Sequence, residues 1–503
     1  MKNNDKHSRL NWRIAVIIIA LLSPIFSFAQ LRIDWQQCYG GEGADYANSI
    51  LPIKEGYLVY GGVSKPYTGM ISCGMENSDD NIWLIKIDNQ GVLQDQQCWS
   101  WDEDFFLKES LSIEEAKTEN DEYYMNAHTY GRVTLLKIDE NLNEIWRRTP
   151  GWYGTQILPT DDGGVLLGGS YGHIDKEHFS EEDSLLKLDS NGNPEWRISI
   201  GMEVIKIAQS KDGGFLVGGV GGESYWNMYD YSLLKIDQNG QIVWNQSIDI
   251  LPLVILELED GFLLATETNL DGEGAHGRFD ILLSRTDEAG NVLWNRFYGG
   301  SSSDRLCNVF PNANGGFTVF GFTNSNDGDL HNKEGNDDDI WVFHVNASGE
   351  LVWERSIGSP AHDEWIYYNN CVKRTGEYKY IIAGRMFWEE TPSGDVNCSN
   401  SAEIPDSGQN YWVLHVTDTI NSTGVSESLS RIGAHVFPNP TNGSVHIQGI
   451  EPVEVMVYDA LGQCAKTFHG TNEILLGDLP KGMYLIKAVL ENGKIYMDKV
   501  IKE

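Results

Sequence analysis

The chain has 503 residues, with 37 Lys and Arg against 73 Asp and Glu, for a formal net charge of -36. That length accommodates two or three domains, and a hydrophobic content of 41% excludes a disordered chain. A field of this sign excludes nucleic acid and anionic membrane surfaces as partners, while it suits Ca²⁺, which takes clustered carboxylate oxygens.

Residues 1–29 read as a cleavable signal peptide. Lys2, Lys6, Arg9 and Arg13 precede the apolar run Ile14 to Phe28, and Ser27-Phe28-Ala29 offers small residues for a cut after Ala29. Pro24 and the shortness of the run argue against an uncleaved anchor, because a span needs about 20 apolar residues. Seven cysteines follow: Cys38, Cys73, Cys98, Cys307, Cys371, Cys398 and Cys464. Their spacing fits no zinc signature. Cys73 with Cys98, and Cys371 with Cys398, are near enough in sequence to pair in an exported chain; buried free thiols are the alternative.

Residues 31–418 are a repeat. LIKIDNQG (84–91), LLKIDENL (135–142), LLKLDSNG (185–192), LLKIDQNG (233–240), LLSRTDEAG (282–290), VFHVNASG (342–349) and VLHVTDTI (413–420) return about every 50 residues, with longer last intervals. Trp146, Trp196, Trp244, Trp294 and Trp353 follow the turns of five copies. DDGGVLLGG (161–169), KDGGFLVGG (211–219), EDGFLLA (259–265) and NGGFTVFG (314–321) precede them. Each unit therefore reads as four short strands: one ending at the Gly turn, a Gly-rich strand, the LLKID strand and the Trp strand. Gly-Gly and Asn-Gly supply the positive φ that tight hairpins need. Four strands per unit of this length indicate an all-β, seven-bladed β-propeller. The last copy lacks its Trp strand, and LRIDWQQCYGG (31–41) is a Trp strand with no unit before it. Residues 33–39 are therefore expected to pair antiparallel with 411–416, closing the ring and removing sheet edges. These repeats resemble the bacterial seven-bladed β-propeller repeat family, which is functionally mixed.

Residues 419–431 are small and polar and read as a linker. In 432–503, VFPNPTNGSVHI (436–447), VMVYDALGQ (455–463) and LPKGMYLIKAV (479–489) alternate as short strands of a β-sandwich. This segment resembles the type A sorting domain of the type IX secretion system, through Pro438-Asn439-Pro440, Tyr458-Asp459 with Gly462, Gly482 with Tyr484, and the terminal Lys499 to Glu503. The resemblance implies recognition by the type IX secretion machinery and export across the outer membrane. It further implies removal of the domain, then attachment to surface lipopolysaccharide or release.

Lys86, Lys137, Lys187, Lys235, Arg285, His344 and His415 recur at one strand position, each repeat carrying its own, so they read as structural. Asp88, Asp139, Asp189, Asp237 and Asp287 lie two positions on and are expected to neutralise them across one strand face. Binding is expected on the face that carries the long connections, 63–80, 322–339 and 385–409. There, Trp99, Trp101, Trp152, Trp226, Trp365 and Trp388 offer flat apolar faces to a sugar ring or a protein partner. In NSNDGDLHNKEGNDDD (324–339), Asp327 and Asp329, with Asp337, Asp338 and Asp339, form a candidate Ca²⁺ site, although the full EF-hand pattern is missing. The chain has no H-E-x-x-H or P-loop sequence. The expectation is a secreted or surface, non-catalytic binding protein for glycan or protein ligands, with no required cofactor. The alternatives are an extracellular polysaccharide hydrolase or lyase, and a structural surface-layer component.

Overall fold

The computed structural model describes residues 31–419 and 435–502, apart from 66, 74–80, 101–111, 117–119, 130–131, 150–151, 172–182, 222–229, 270–274, 314, 332, 334–336, 360–363, 366–369, 388–393, 398–408, 450, 459–463 and 491–494. The signal segment and the 420–434 part of the linker lie outside the described residues. Among the described residues, no helix is long and apolar enough to cross a membrane.

The protein is all-β, with a β-propeller in its N-terminal part. Among the described residues, seven sheets form between Leu31 and Asp418, six of them with four strands in chain order. The first strands of the seven are Tyr46–Ile53, Ser112–Glu115, Trp152–Pro159, Met202–Gln209, Val254–Leu258, Asp304–Pro311 and Val372–Gly376. Each lies against the first strand of the next sheet, and the last returns to the first, so these strands surround one axis. The seventh sheet is completed by the N-terminus. Leu31–Tyr39 pairs antiparallel with Gln409–Asp418, with Gln37 opposite Val413 and Tyr39 opposite Tyr411.

Antiparallel order sends the connections to two edges. Those from the first to the second strand, and from the third to the fourth, are short. Those from the second to the third strand leave the other edge and include 64–80, 172–182, 324–338 and 388–408. Connections between sheets leave that same edge.

The short turns explain the repeated Asp. The Oδ1 of Asp189 accepts the backbone N–H groups of Asn191 and Asn193 at 2.9 and 2.8 Å. Asp88, Asp139, Asp237 and Asp287 do the same in their own turns. The expected pairing of these acids with the basic residue two positions back is therefore overturned. The buried lysines turn instead to the acids of the hairpin before them. Lys137 meets Glu122 at 2.6 Å, Lys187 meets Asp162 at 2.8 Å and Lys235 meets Asp212 at 3.0 Å; Arg285 pairs with Asp260. A carboxylate that already accepts two N–H bonds is best satisfied where it is, and a buried ammonium requires a partner of its own.

Trp35, Trp146, Trp196 and Trp294 each pack on the next sheet's turn. A Cβ on Gly91 (φ +80) would come 2.8 Å from the Trp35 ring, and one on Gly192 (φ +77) would come 3.2 Å from Trp146. Glycine is needed there for its positive φ and for this close approach. Trp35, on the N-terminal strand, thus occupies the place that Trp146 holds in the second sheet. Of the two expected cysteine pairs, Cys73–Cys98 is a disulfide. The expected Cys371–Cys398 pair is not formed: Cys371 is a buried thiol outside any disulfide, donating to the Asn48 carbonyl at 3.3 Å. It stands just before the inner strand Val372–Gly376, which carries it into the core shared by the last two sheets. Cys398 lies outside the described residues.

The C-terminal segment has its own core. A three-stranded sheet (His435–Phe437, Ser444–Gln448, Glu473–Leu475) and a four-stranded one (Cys464–His469, Pro452–Tyr458, Gly482–Leu490, Ile495–Lys502) share a cluster including Ile447, Ile474, Val457 and Ile486.

Candidate functional site

The axis is where the repeats differ from one another. Ile50, Ile113, Ile157, Ile207, Ile255, Val309 and Val372 occupy one register position of the seven inner strands, opposite Val59, Met125, Leu167, Val217, Leu264, Val319 and Ile382. All but Ile157 are buried. The residues on either side of this layer share the other strand face, since side chains alternate. Before it stand Ser49, Ser112, Gln156, Lys206, Val254, Asn308 and Cys371; after it stand Leu51, Glu114, Leu158, Ala208, Leu256, Phe310 and Lys373. Only three of these fourteen positions are charged: Lys206, Glu114 and Lys373.

Those three come from the fourth, second and seventh sheets, yet Lys373 and Glu114 meet, and Lys206 lies within electrostatic reach of both. Lys373 Nζ lies 3.0 and 3.1 Å from the two carboxylate oxygens of Glu114, and each side chain is 21% exposed. Lys206 is partly exposed and feels the charges of Glu114 and Lys373. A register shift between Val204 and Lys206 bulges its strand, and similar shifts precede Ser49, Gln156 and Asn308. A bulge re-aims the side chains that follow it. Burial, with Lys373 adding to it, pushes the Lys206 ammonium down to about 8, against the opposing pull of Glu114 and Cys307. Among the described residues Lys206 has no hydrogen bond or ion pair. Cys307 and Cys371, both buried thiols outside any disulfide, lie in the core shared by the last two sheets, and burial raises the Cys307 thiol.

Sequence reasoning missed this cluster. The signal was a column alignment of the inner strands, where Lys206, Glu114 and Lys373 interrupt otherwise neutral positions.

The expected site residues are placed as follows. Trp99 is not on a loop: it lies in the strand Leu93–Ser100, partly buried against the core between the first two sheets. Trp152 begins the strand Trp152–Pro159 and Trp365 ends the two-residue strand Glu364–Trp365. Trp101, Trp226 and Trp388 lie outside the described residues. Asp327 accepts the Ser301 N–H at 2.6 Å and Asp329 accepts the Gly299 N–H at 3.0 Å, so both clip the loop to the preceding Gly-Gly segment. Hydrogen bonds from Ser301 lower the pKa of Asp327, while burial raises that of Asp329. Asp337 and Asp338 are partly exposed and Asp339 is buried. Among the described residues no three His, Cys, Asp or Glu side chains are gathered to hold a metal ion. A cavity of about 370 Å³ lined by Asn120, Asp121, Glu122, Asp139, Glu140 and Asn141 is acidic. Its Asp121, Glu122 and Asp139 are already engaged with Lys54, Lys137 and their own turn.

In the C-terminal segment the expected motifs converge. The Asn439 side-chain oxygen accepts the Ile501 N–H at 2.9 Å, the Thr441 N–H donates to the Ile501 carbonyl, and Lys502 reaches the Asn442 carbonyl at 2.8 Å. The Pro438-Asn439-Pro440 turn is thereby held against the terminal strand. Tyr484 is buried and donates to the Pro480 carbonyl at 2.9 Å; Tyr458 and Gly482 lie in strands. Asp459 and Gly462 fall outside the described residues.

No curated protein matches the chain. Solved structures similar to it include BamB from Moraxella catarrhalis, at 13% identity over 77% of this chain and 100% of that one, with a TM-score of 0.39. A virginiamycin B lyase from Staphylococcus aureus matches at 8% identity over 77% and 99%, with a TM-score of 0.39. A protein of unknown function from Bacteroides caccae matches at 14% identity over 59% and 93%, with a TM-score of 0.33. The propeller assignment rests on the sheets of this chain and not on these scores. Residues 435–503 match the family described as secretion system C-terminal sorting domain. The chain thus carries a type IX sorting domain and is exported through that system to the cell surface or the extracellular space.

Proposed function

We propose that the exported protein is a seven-bladed, non-catalytic propeller that binds a glycan or protein ligand on its long-connection edge. The observation that carries this reading is the sorting of connections: tight Asx and Gly turns fill one edge, and the long, dissimilar segments leave the other. Loops on a rigid scaffold can vary without cost to the core, which is how binding surfaces arise. The sorting domain and the signal segment are removed in this reading, after Ala29 and within 419–431, and the propeller is attached to surface lipopolysaccharide or released.

The test is capture on an array of glycans and of surface proteins. The mature propeller is compared with a form in which 64–80 and 324–338 are replaced by short Gly-Ser turns. Binding that disappears in the shortened form, while circular dichroism still shows the folded sheets, supports the reading. Binding indifferent to both replacements removes the long-connection edge as the site. Intact mass of the cell-surface form checks both cuts.

A further inference from the structure

The Lys206 cluster has a composition that calls for a ligand. Around the axis one ammonium group meets a carboxylate and a second, that of Lys206, lies within electrostatic reach of both, leaving one positive charge in a chain whose net charge is -36. Lys373 is satisfied by both oxygens of Glu114. Lys206 is left with no partner among the described residues, near two residues that keep contact with solvent while the aliphatic layer next to them is buried at every position but Ile157. A partly desolvated ammonium without a counter-charge is costly, and an incoming anion relieves that cost.

We propose that this axial cluster binds a monoanionic carboxylate group, presented by a ligand that reaches the axis, with Lys206 as the direct contact and the Lys373–Glu114 pair as its positioning wall. One negative charge neutralises the cluster, whereas a dianion leaves the site charged. Glu114 sets the strength of the site, because it competes with the ligand for the two ammonium groups. Titration follows from the same neighbours. Glu114, Lys373 and Cys307 face Lys206, and the affinity declines as the pH rises through the range where Lys206 loses its proton.

The proposal deepens the binding reading above and rests on it, yet its test reads Lys206 alone. The mature chain is titrated calorimetrically with sodium D-glucuronate, with acetate as the bare carboxylate and glucose as the neutral control. Both anions bind and glucose does not. Lys206→Met weakens binding by about tenfold or more, the size of one charge-assisted hydrogen bond. Glu114→Gln tightens it. Lys206→Arg, which stays charged, retains binding at pH 9.5, where the native protein has lost it. Circular dichroism confirms that each variant is folded. Absence of saturable binding at millimolar anion, or binding that Lys206→Met leaves intact, overturns the proposal. The loop-shortened protein keeps the axial site, so loss of array binding in that protein and loss of anion binding in Lys206→Met are separate results.

Discussion

Lys187 Nζ lies 2.8 Å from both Asp162 Oδ2 and Glu195 Oε2, while Asp189, two residues further on, serves only its own turn. Lys187 is 3% exposed, so the ammonium is the buried partner and the acids are the solvated ones. Removing the lysine is therefore mild and removing its acids is not. Lys187→Met is expected to be near neutral in urea unfolding, and Asp162→Asn with Glu195→Gln to cost about 3 kcal/mol by stranding the charge. Burial pushes the Asp162 carboxyl up, but hydrogen bonds from Lys187, Thr160 and Gly164 bring it below its ordinary value. That contribution is present above the unfolded pKa, near 4, and is lost as the pH falls through the lower folded value. The double variant is expected to lack this acid-side loss.

Closure of the ring depends on a strand from the far end of the chain. Leu31 is fully buried, and the Tyr39 hydroxyl donates to the Gly91 carbonyl of the first sheet. Tyr298 makes the equivalent bond to Gly349 at 2.6 Å. Tyr39→Phe and Tyr298→Phe are each expected to cost about 1 kcal/mol. Deletion of 31–39 bares the edge of Gln409–Asp418 and is expected to produce aggregation, visible by sedimentation.

Asp339 carries a destabilising charge. Burial raises its pKa to about 7, Lys333 at 3.9 Å only partly opposes this, and its Oδ1 accepts no hydrogen bond. With the folded pKa above the unfolded one, its protonated form favours folding. Stability from this group is full below pH 4 and falls as the pH rises to 7. Asp339→Asn is expected to raise stability at pH 8 by about 1–3 kcal/mol and to flatten that slope, measured by urea unfolding across the pH range. Asp327→Ala is expected to lower the melting temperature in Ca²⁺ and in chelator alike, since it removes a bond to Ser301.

Cys307 and Cys371 are both 0% exposed, and burial disfavours the Cys307 thiolate. Thiolates, not thiols, are alkylated. Iodoacetamide is expected to leave both unmodified in the native protein and to label both in guanidinium, as read by peptide mass. Native labelling of either would show that the core opens.

The sequence by itself determined the repeat, its four strands, the closing strand and the sorting domain. These rest on local signals: a Gly that must take positive φ, an Asp that caps its own turn, an alternating strand, a short ordered motif. Partner choice was decided only in three dimensions. The spacing of Lys187 and Asp189 is that of neighbours on one strand face, yet a hairpin brings Asp162 to the lysine and the turn claims Asp189. Trp99 reads as a loop aromatic until its strand carries it against the core. Lys206, Glu114 and Lys373 are far apart in the chain and each is unremarkable in its own repeat. They become a site because ring closure brings the innermost strands of different sheets to one axis, and charges that meet there cannot ignore one another.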